Sequence, residues 1–181
     1  SGIIKMGGDE VTQEIAYAFD TSLEEAKRLK ESYGSAKKIP QSDDEFIDFT
    51  QGSKALHQLS SLDLSEVIEE AYLEIFQALK NELKHHNLDL IIKSGFVLCG
   101  GGSEIKSIEE LIRGYFSKRV KIGKIQRSRI SGLETVLTDY KYTGSIGLLL
   151  HEGDLSKAKF IVSNGDKGVM GKLKKAIVGN F

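Results

Sequence analysis

The chain has 181 residues, and 25 basic against 26 acidic side chains give it a formal net charge of −1 at pH 7. A charge this close to zero provides no overall field for nucleic acid, and we expect no nucleic-acid partner. The single cysteine excludes an intramolecular disulfide and is typical of a reducing environment. No apolar run is long enough to span a bilayer, and the N-terminus lacks the pattern of a signal peptide.

The chain opens with residues 3–6, which predict the end of a strand. Gly7 and Gly8 follow as a turn, and apolar residues then recur at helical spacing from Val11 to Phe19. Because the first element is cut short, we expect the chain to be a fragment of a longer protein.

A second helix is predicted over residues 23–33. Thr21 or Ser22 can cap its N-terminus, acidic residues in its first turn complement the helix dipole, and Gly34 ends it. On periodicity alone, its basic residues form a solvated face.

The middle of the chain contains the longest helix. Before it, a short strand is predicted over 46–49 and a mixed connection over 52–61. Asp63 and Glu66 resemble a capping arrangement at the start of the helix. Two adjacent histidines near its end point in different directions, so we expect no metal site there. The apolar stripe, which must pack on a sheet or another helix, consists of Val67, Ile68, Ala71, Tyr72, Ile75, Phe76, Leu79 and Leu83.

The clearest functional signal lies between residues 95 and 112. An apolar run predicts a buried strand, three glycines (100–102) end it, and an amphipathic helix follows, with Ser107 and Glu110 spaced as a capping box. A strand that ends in glycines before a helix lets a ligand approach the backbone and offers N–H groups to an anion. The pattern favours a nucleotide or phosphate site, and a plain tight turn is the alternative.

Further elements are predicted toward the C-terminus. Residues 118–122 alternate as a half-buried strand, 133–137 form a short helix, and 142–150 form a buried helix rich in small residues. The basic residues around the strand lack interleaved aromatics, which favours a solvated face over nucleic-acid contact. Residues 152–168 are polar and are interpreted as a flexible linker.

The terminal segment 169–181 predicts an amphipathic helix with an apolar and a basic side. Such a helix fits an anionic membrane surface, and a partner groove or a docked C-terminal helix are the alternatives. The predicted membrane-binding residues are Val169, Met170, Lys172, Leu173, Lys175, Ile177 and Phe181.

Taken in this order, the motifs resemble the second half of the bacterial cell-division family FtsA, whose members are actin-like ATPases. The resemblance implies an α/β fold of the actin/Hsp70-like ATPase class, here a partial lobe with a mixed sheet and packed helices. It divides the chain into subdomain IIA (1–36 and 94–151), subdomain IIB (37–93), the linker and the membrane-targeting helix. The segments that carry it are 4–12, 21–34, 67–75, 97–103, 143–148 and the terminal helix.

The resemblance also implies an ATP site. The glycine motif would lie against the α-phosphate and ribose, two lysines would flank the adenine, and the first glycine pair would lie near the phosphates. These nucleotide-binding residues are Gly100, Gly101, Gly102, Ser103, Lys27, Lys30, Gly7 and Gly8. The acid that orients Mg²⁺ belongs to the upstream half, so neither catalytic residues nor metal ligands are expected in this chain. Lys27 stands where the family has an acid, and Ala71 where arginine is common.

The implied function is scaffolding at the division septum. The protein would polymerise, bind FtsZ through residues 37–93 and attach to the inner leaflet of the cytoplasmic membrane through 169–181. ATP would act as a conformational ligand more than as a rapidly hydrolysed substrate. The alternatives are the C-terminal half of an actin-superfamily sugar kinase or of an Hsp70-like ATPase, which share the glycine motif. The amphipathic terminal segment favours FtsA.

Overall fold

The computed structural model describes residues 2–38, 45–52, 55–88, 92–125, 136 and 139–155. It contains two compact units, residues 1–146 and residues 147–181. The helices are α1 (Gly8–Ala18), α2 (Leu23–Tyr33), α3 (Ser61–His85), α4 (Ile108–Phe116) and α5 (Thr143–Leu155). The strands are β1 (Phe46–Gln51), β2 (Ala55–Ser60), β3 (Phe96–Leu98) and β4 (Val120–Ile122), and short 3₁₀ turns cover Gly101–Glu104 and Tyr140–Tyr142.

The strands form two small sheets of different type. β1 and β2 make an antiparallel hairpin in which Phe46 lies opposite Ser60. β3 pairs in parallel with β4, with Phe96 opposite Val120. The observed architecture is therefore α/β with both strand orientations, as the sequence predicts.

Helices α1, α2 and α3 pack around a common core. Its fully buried side chains come from all three helices, so each helix contributes its apolar stripe to one cluster. The largest of these side chains are Val11, Ile15, Leu29, Leu64 and Ile68. The predicted bounds of α2 are confirmed: Ser22 Oγ accepts a hydrogen bond from the N–H of Glu25 at 3.2 Å, and Gly34 is the C-cap.

Two predictions about the start of α3 are wrong. Residues 55–60 form β2, where a mixed connection was expected, because β1 supplies the partner strand that a weakly alternating sequence requires. The cap of α3 is Ser60, whose Oγ accepts from the N–H groups of Leu62 and Asp63 at 3.1 and 3.3 Å. The helix therefore begins ahead of the predicted Asp63–Glu66 arrangement.

The start of α4 also differs from the prediction. Ser107 is the N-cap, but its backbone is left-handed with φ 61°, and its side chain makes no capping hydrogen bond. In that conformation the hydroxyl is not placed over the first turn, so spacing alone did not predict the cap. Residues 3–6, expected to end a strand, have irregular backbone, and no described strand lies beside them to complete a ladder.

Helix α5 is more exposed and longer than predicted. Ile146 is buried, but Leu148 and Leu149 are 73% and 63% exposed. The helix continues to Leu155 and so takes up the first residues of the predicted linker. Within the described ranges, no helix has both the length and the apolarity needed to cross a membrane. The predicted helix 133–137 lies outside the described residues apart from Val136, which is helical. The rest of the linker and the segment 169–181 also lie outside the described residues.

Candidate functional site

A cleft of about 700 Å³ opens in the unit formed by residues 1–146. Its walls are the first turn of α1, the second half of α2, the middle of α3, the glycine turn after β3 and the segment 139–141. The volume is in the range of small-molecule sites. The lining residues are Gly8, Asp9, Lys27, Lys30, Glu31, Gly34, Tyr72, Gly101, Gly102, Glu104, Ile105, Lys106, Asp139 and Lys141.

Lys30 joins the two helices on one side of the cleft. Its Nζ donates to the carbonyl oxygen of Gly8 at 2.5 Å and to Oγ1 of Thr12 at 2.6 Å. Burial lowers the pKa of this ammonium group, and the nearby carboxylate of Asp9 partly opposes that effect. The interaction holds the start of α1 against α2 and uses two uncharged acceptors.

Lys27 lies one turn earlier on the same face of α2. Its Nζ is 4.0 Å from a carboxylate oxygen of Glu31, and both side chains are largely exposed. A surface pair of this kind contributes little to stability. The stem of Lys27 is therefore free to reorient toward a ligand in the cleft.

The glycine turn forms the opposite wall. Gly100 has φ +92°, a conformation that a side chain rarely adopts, so glycine is required there for backbone reasons. The side chain of Ser103 is buried and donates to the carbonyl oxygen of Gly100 at 2.7 Å. The N–H of Ser103 reaches the same oxygen at 3.0 Å, which closes the turn.

Gly101 and Gly102 differ from Gly100, because neither has a positive φ and neither is crowded by the protein. A Cβ at Gly101 would lie 3.8 Å from Cβ of Lys141, and one at Gly102 would lie 3.7 Å from the hydroxyl of Tyr72. These are ordinary contacts, so a side chain would fit against the protein. It would project from a wall of the cleft, and the two glycines therefore keep room for a ligand.

Tyr72 supports the glycine turn from α3. Its side chain is 7% exposed, and its hydroxyl donates to the carbonyl oxygen of Gly102 at 3.2 Å. Burial raises the pKa of Tyr72 to about 12, so the phenol remains a donor at neutral pH.

Two further contacts complete the walls. Lys141 Nζ lies 2.7 Å from Oδ2 of Asp139, and this hydrogen-bonded ion pair lowers the pKa of the carboxyl group and raises that of the lysine. The N–H of Ala36 donates to the carbonyl oxygen of Lys106 at 2.8 Å, which ties the end of α2 to the segment after the glycine turn.

The structure brings five of the eight residues expected to bind nucleotide to one cleft: Gly8, Lys27, Lys30, Gly101 and Gly102. The other three do not line it. The N–H of Gly7 is hydrogen-bonded to a carboxylate oxygen of Glu10 at 2.8 Å, and Gly100 and Ser103 brace the turn from within.

Sequence reasoning missed the remaining cleft residues. The sequence analysis places Tyr72 only in the apolar stripe of α3. A tyrosine in such a stripe usually directs its hydroxyl to a polar partner, and this tendency could have indicated its role beside the glycine turn. The pair Asp139–Lys141 follows a stretch without a strong periodic pattern and had no comparable signal.

The charges of the cleft balance. Four lysines face four carboxylates, and two of the lysines are within ion-pair distance of a carboxylate in the cleft. The lysines are Lys27, Lys30, Lys106 and Lys141; the acids are Asp9, Glu31, Glu104 and Asp139. Among the described residues, no group of three or more His, Cys, Asp or Glu side chains is placed to hold a metal ion. With no excess of either charge, the cleft offers individual lysine side chains to a ligand rather than an overall positive field.

Solved structures with the same fold are similar over most of this chain. MreB5 of Spiroplasma citri bound to ADP has a TM-score of 0.64 at 21% identity, over 90% of this chain and 48% of that one. The PilM–PilN type IV pilus biogenesis complex has a TM-score of 0.55 at 16% identity, over 83% of this chain and 38% of that one. These similarities define the fold class: the chain is a partial domain of the actin-like ATPase fold, with helices packed beside two small sheets.

The sequence comparisons identify the family within that class. The model of the cell division protein FtsA matches residues 1–147, and the chain belongs to the FtsA family. FtsA of Buchnera aphidicola from Acyrthosiphon pisum is 36% identical over 82% of this chain and 37% of its own length. FtsA of Pseudomonas aeruginosa is 28% identical over the whole chain and 45% of its own length. The chain thus spans less than half the length of these relatives.

Proposed function

We propose that the chain is the part of an FtsA-type cell-division scaffold that forms the adenine side of an ATP site. The observation that carries the proposal is the cleft in which the lysines of α2 face the glycine turn after β3. The family membership supports it, as do the related structures of MreB5 bound to ADP and of MreB5 bound to AMPPNP.

The residues of the cleft fit an adenine nucleotide. Lys27 and Lys30 carry aliphatic stems that can cover a flat base while their ammonium groups stay polar. Gly101 and Gly102 keep a wall free of side chains, so that ribose and phosphate can approach the backbone. Gly8 lies at the start of α1, where a helix N-terminus favours an anion. Bound Mg²⁺ would supply charge neutralisation at the phosphates.

The remaining parts of the proposal concern partners. Residues 37–93 would bind FtsZ, and in this segment the hairpin exposes Phe46 and Leu56, which are 67% and 73% exposed. The protein would form filaments with further copies of itself, and the segment 169–181 would attach them to the inner leaflet of the cytoplasmic membrane at the septum. ATP would control assembly, and scaffolding is the principal role.

The nucleotide site is tested by narrowing the cleft without straining the backbone. Gly101→Val places a branched side chain at the wall of the cleft, at a glycine whose φ is not positive. We expect it to abolish binding of a fluorescent ATP analogue while the far-UV circular dichroism stays unchanged. The control is Gly114→Val on α4, where an added Cβ meets no atom within 4 Å. Equal binding by both variants and by the native chain would refute the site.

Membrane attachment needs a separate test. Co-sedimentation with anionic and neutral vesicles compares residues 1–181 with a chain ending at Leu155, the last residue of α5. We expect salt-sensitive binding to anionic vesicles that the shorter chain has lost. If both chains stay in the supernatant, the terminal segment is a docked helix or a partner motif.

A further inference from the structure

One buried hydroxyl connects the long helix to the glycine turn. Tyr72 lies on the stripe of α3 that also carries Ile68 and Phe76, at intervals of four residues. Ile68 packs beneath Gly34 at the end of α2, and the ring of Phe76 lies 5.9 Å from that of Phe116 on α4. Packing on both sides therefore leaves the ring of Tyr72 little freedom.

The hydroxyl of Tyr72 acts on one particular peptide group. That peptide joins Gly102 to Ser103; its carbonyl accepts from Tyr72 at 3.2 Å, and its N–H donates to the carbonyl of Gly100 at 3.0 Å. Both ends of the peptide plane are thus fixed. Within the described residues, the N–H groups of Gly101 and Gly102 have no protein acceptor.

We infer that Tyr72 is a positioning residue for the phosphate end of the nucleotide, acting through the glycine turn. The inference rests on the proposed ATP site and adds to it a residue that acts through the backbone of the glycine turn. Ser103 braces the turn at the carbonyl of Gly100, and among the described residues Tyr72 provides the hydrogen bond at the carbonyl of Gly102. The hydrogen bond from Tyr72 therefore determines how well the free N–H groups are prearranged for an anionic oxygen.

Tyr72→Phe removes the hydroxyl and keeps the ring. We expect the Kd for ADP to rise about threefold to tenfold, the range that one hydrogen bond gives, while the Kd for adenosine stays within twofold. Adenosine provides this comparison because it has the base and ribose but no phosphate. Ligand-observed NMR titration measures both constants, including millimolar ones.

The matched control is Tyr115→Phe. Tyr115 also donates its hydroxyl to a partner on α3, Oε1 of Gln77 at 2.7 Å, but it lies outside the cleft. If any lost tyrosine hydrogen bond that involves α3 weakened ADP binding, both variants would bind ADP equally poorly. We expect Tyr115→Phe to leave the ratio of the two dissociation constants unchanged.

Hydrogen exchange of the ligand-free chain separates this inference from the proposed function. Tyr72→Phe should speed amide exchange at Ser103, whose N–H is hydrogen-bonded to the carbonyl of Gly100, whereas Tyr115→Phe should not. If the native chain binds neither ADP nor adenosine, the proposed nucleotide site fails, and the positioning role fails with it. If the native chain binds ADP but Tyr72→Phe leaves both the ADP-to-adenosine ratio and the amide exchange of Ser103 unchanged, the positioning role alone is overturned.

Discussion

Replacing Gly34 by alanine tests how tightly the end of α2 packs on α3. Gly34 has φ −63°, which any residue can adopt, so only crowding requires a glycine here. An added Cβ would lie 2.4 Å from the carbonyl oxygen of Lys30 and 2.9 Å from Cδ1 of Ile68, closer than nonbonded atoms approach. The side chain of Ile68 can turn away, but the carbonyl can move only with the backbone of α2.

The magnitude follows from three contributions. Overpacking costs about 1–3 kcal/mol. The cap hydrogen bond from the N–H of Gly34 to the carbonyl of Lys30 is 3.1 Å long, and its disruption costs about 1 kcal/mol more. A less flexible unfolded chain returns about 0.5 kcal/mol. We expect Gly34→Ala to lower the free energy of unfolding by about 1.5–3.5 kcal/mol.

Urea denaturation followed by circular dichroism measures this loss, provided that the slope stays constant. The matched substitution is Gly114→Ala in α4, where a Cβ meets open space; it should raise the free energy of unfolding by about 0.8 kcal/mol. The same chemical change would then have opposite signs at two glycines. A stability gain at both positions would show that α2 does not meet α3 as described.

Three further predictions concern single side chains. Burial lowers the pKa of Lys30 below 10.5, so between that lowered value and 10.5 the unfolded chain binds more protons than the folded chain. The free energy of unfolding of the native chain, relative to that of Lys30→Met, should therefore rise with pH across this window. Lys27→Met, at an exposed position, is the reference in the same titration. Ser107→Gly should add about 0.5–1 kcal/mol to the free energy of unfolding, because the backbone of Ser107 has φ 61°, which strains serine. Ser22→Ala should instead lower the free energy of unfolding by about 1 kcal/mol, because it removes the cap of α2. A loss of stability in Ser107→Gly would contradict the left-handed backbone. Ile68→Ala should remove about 2–5 kcal/mol from a fully buried position, and a loss under 1 kcal/mol in calorimetry would mean that this part of the core is not closed.

Local rules predicted the elements whose signals are local. Helix α2 has a capping serine, a terminal glycine and a regular apolar stripe, and its bounds were predicted to the residue. Strand β2 has no such signal, because Ala55–Ser60 becomes a strand only by pairing with β1. The left-handed Ser107 is likewise imposed by the path of the chain between the glycine turn and α4 rather than by serine itself.

The cleft was predicted in part for the same reason. Glycines and lysines carry a pattern that resembles a known family, and five of the residues predicted from it line the cleft, while their role in binding a nucleotide stays a prediction. Tyr72 and Asp139 reach the cleft only through tertiary packing. A sequence alone does not indicate that residues so far apart along the chain lie close together. The family resemblance predicted the fold class, which the structural similarities confirm.

The length of α3 has a mechanical consequence. Its first residue, Ser61, is bonded to Glu45 at the base of the hairpin: the N–H of Ser61 donates to the Glu45 carbonyl at 2.9 Å. Tyr72 lies eleven residues along the helix, about 17 Å away at 1.5 Å per residue. A rod held near its middle is a lever, so a tilt of about 5° at the glycine turn would carry the base of the hairpin about 1.5 Å sideways. The exposed face of β1 and β2 would travel with it, and the far end near His85 would swing in the opposite direction.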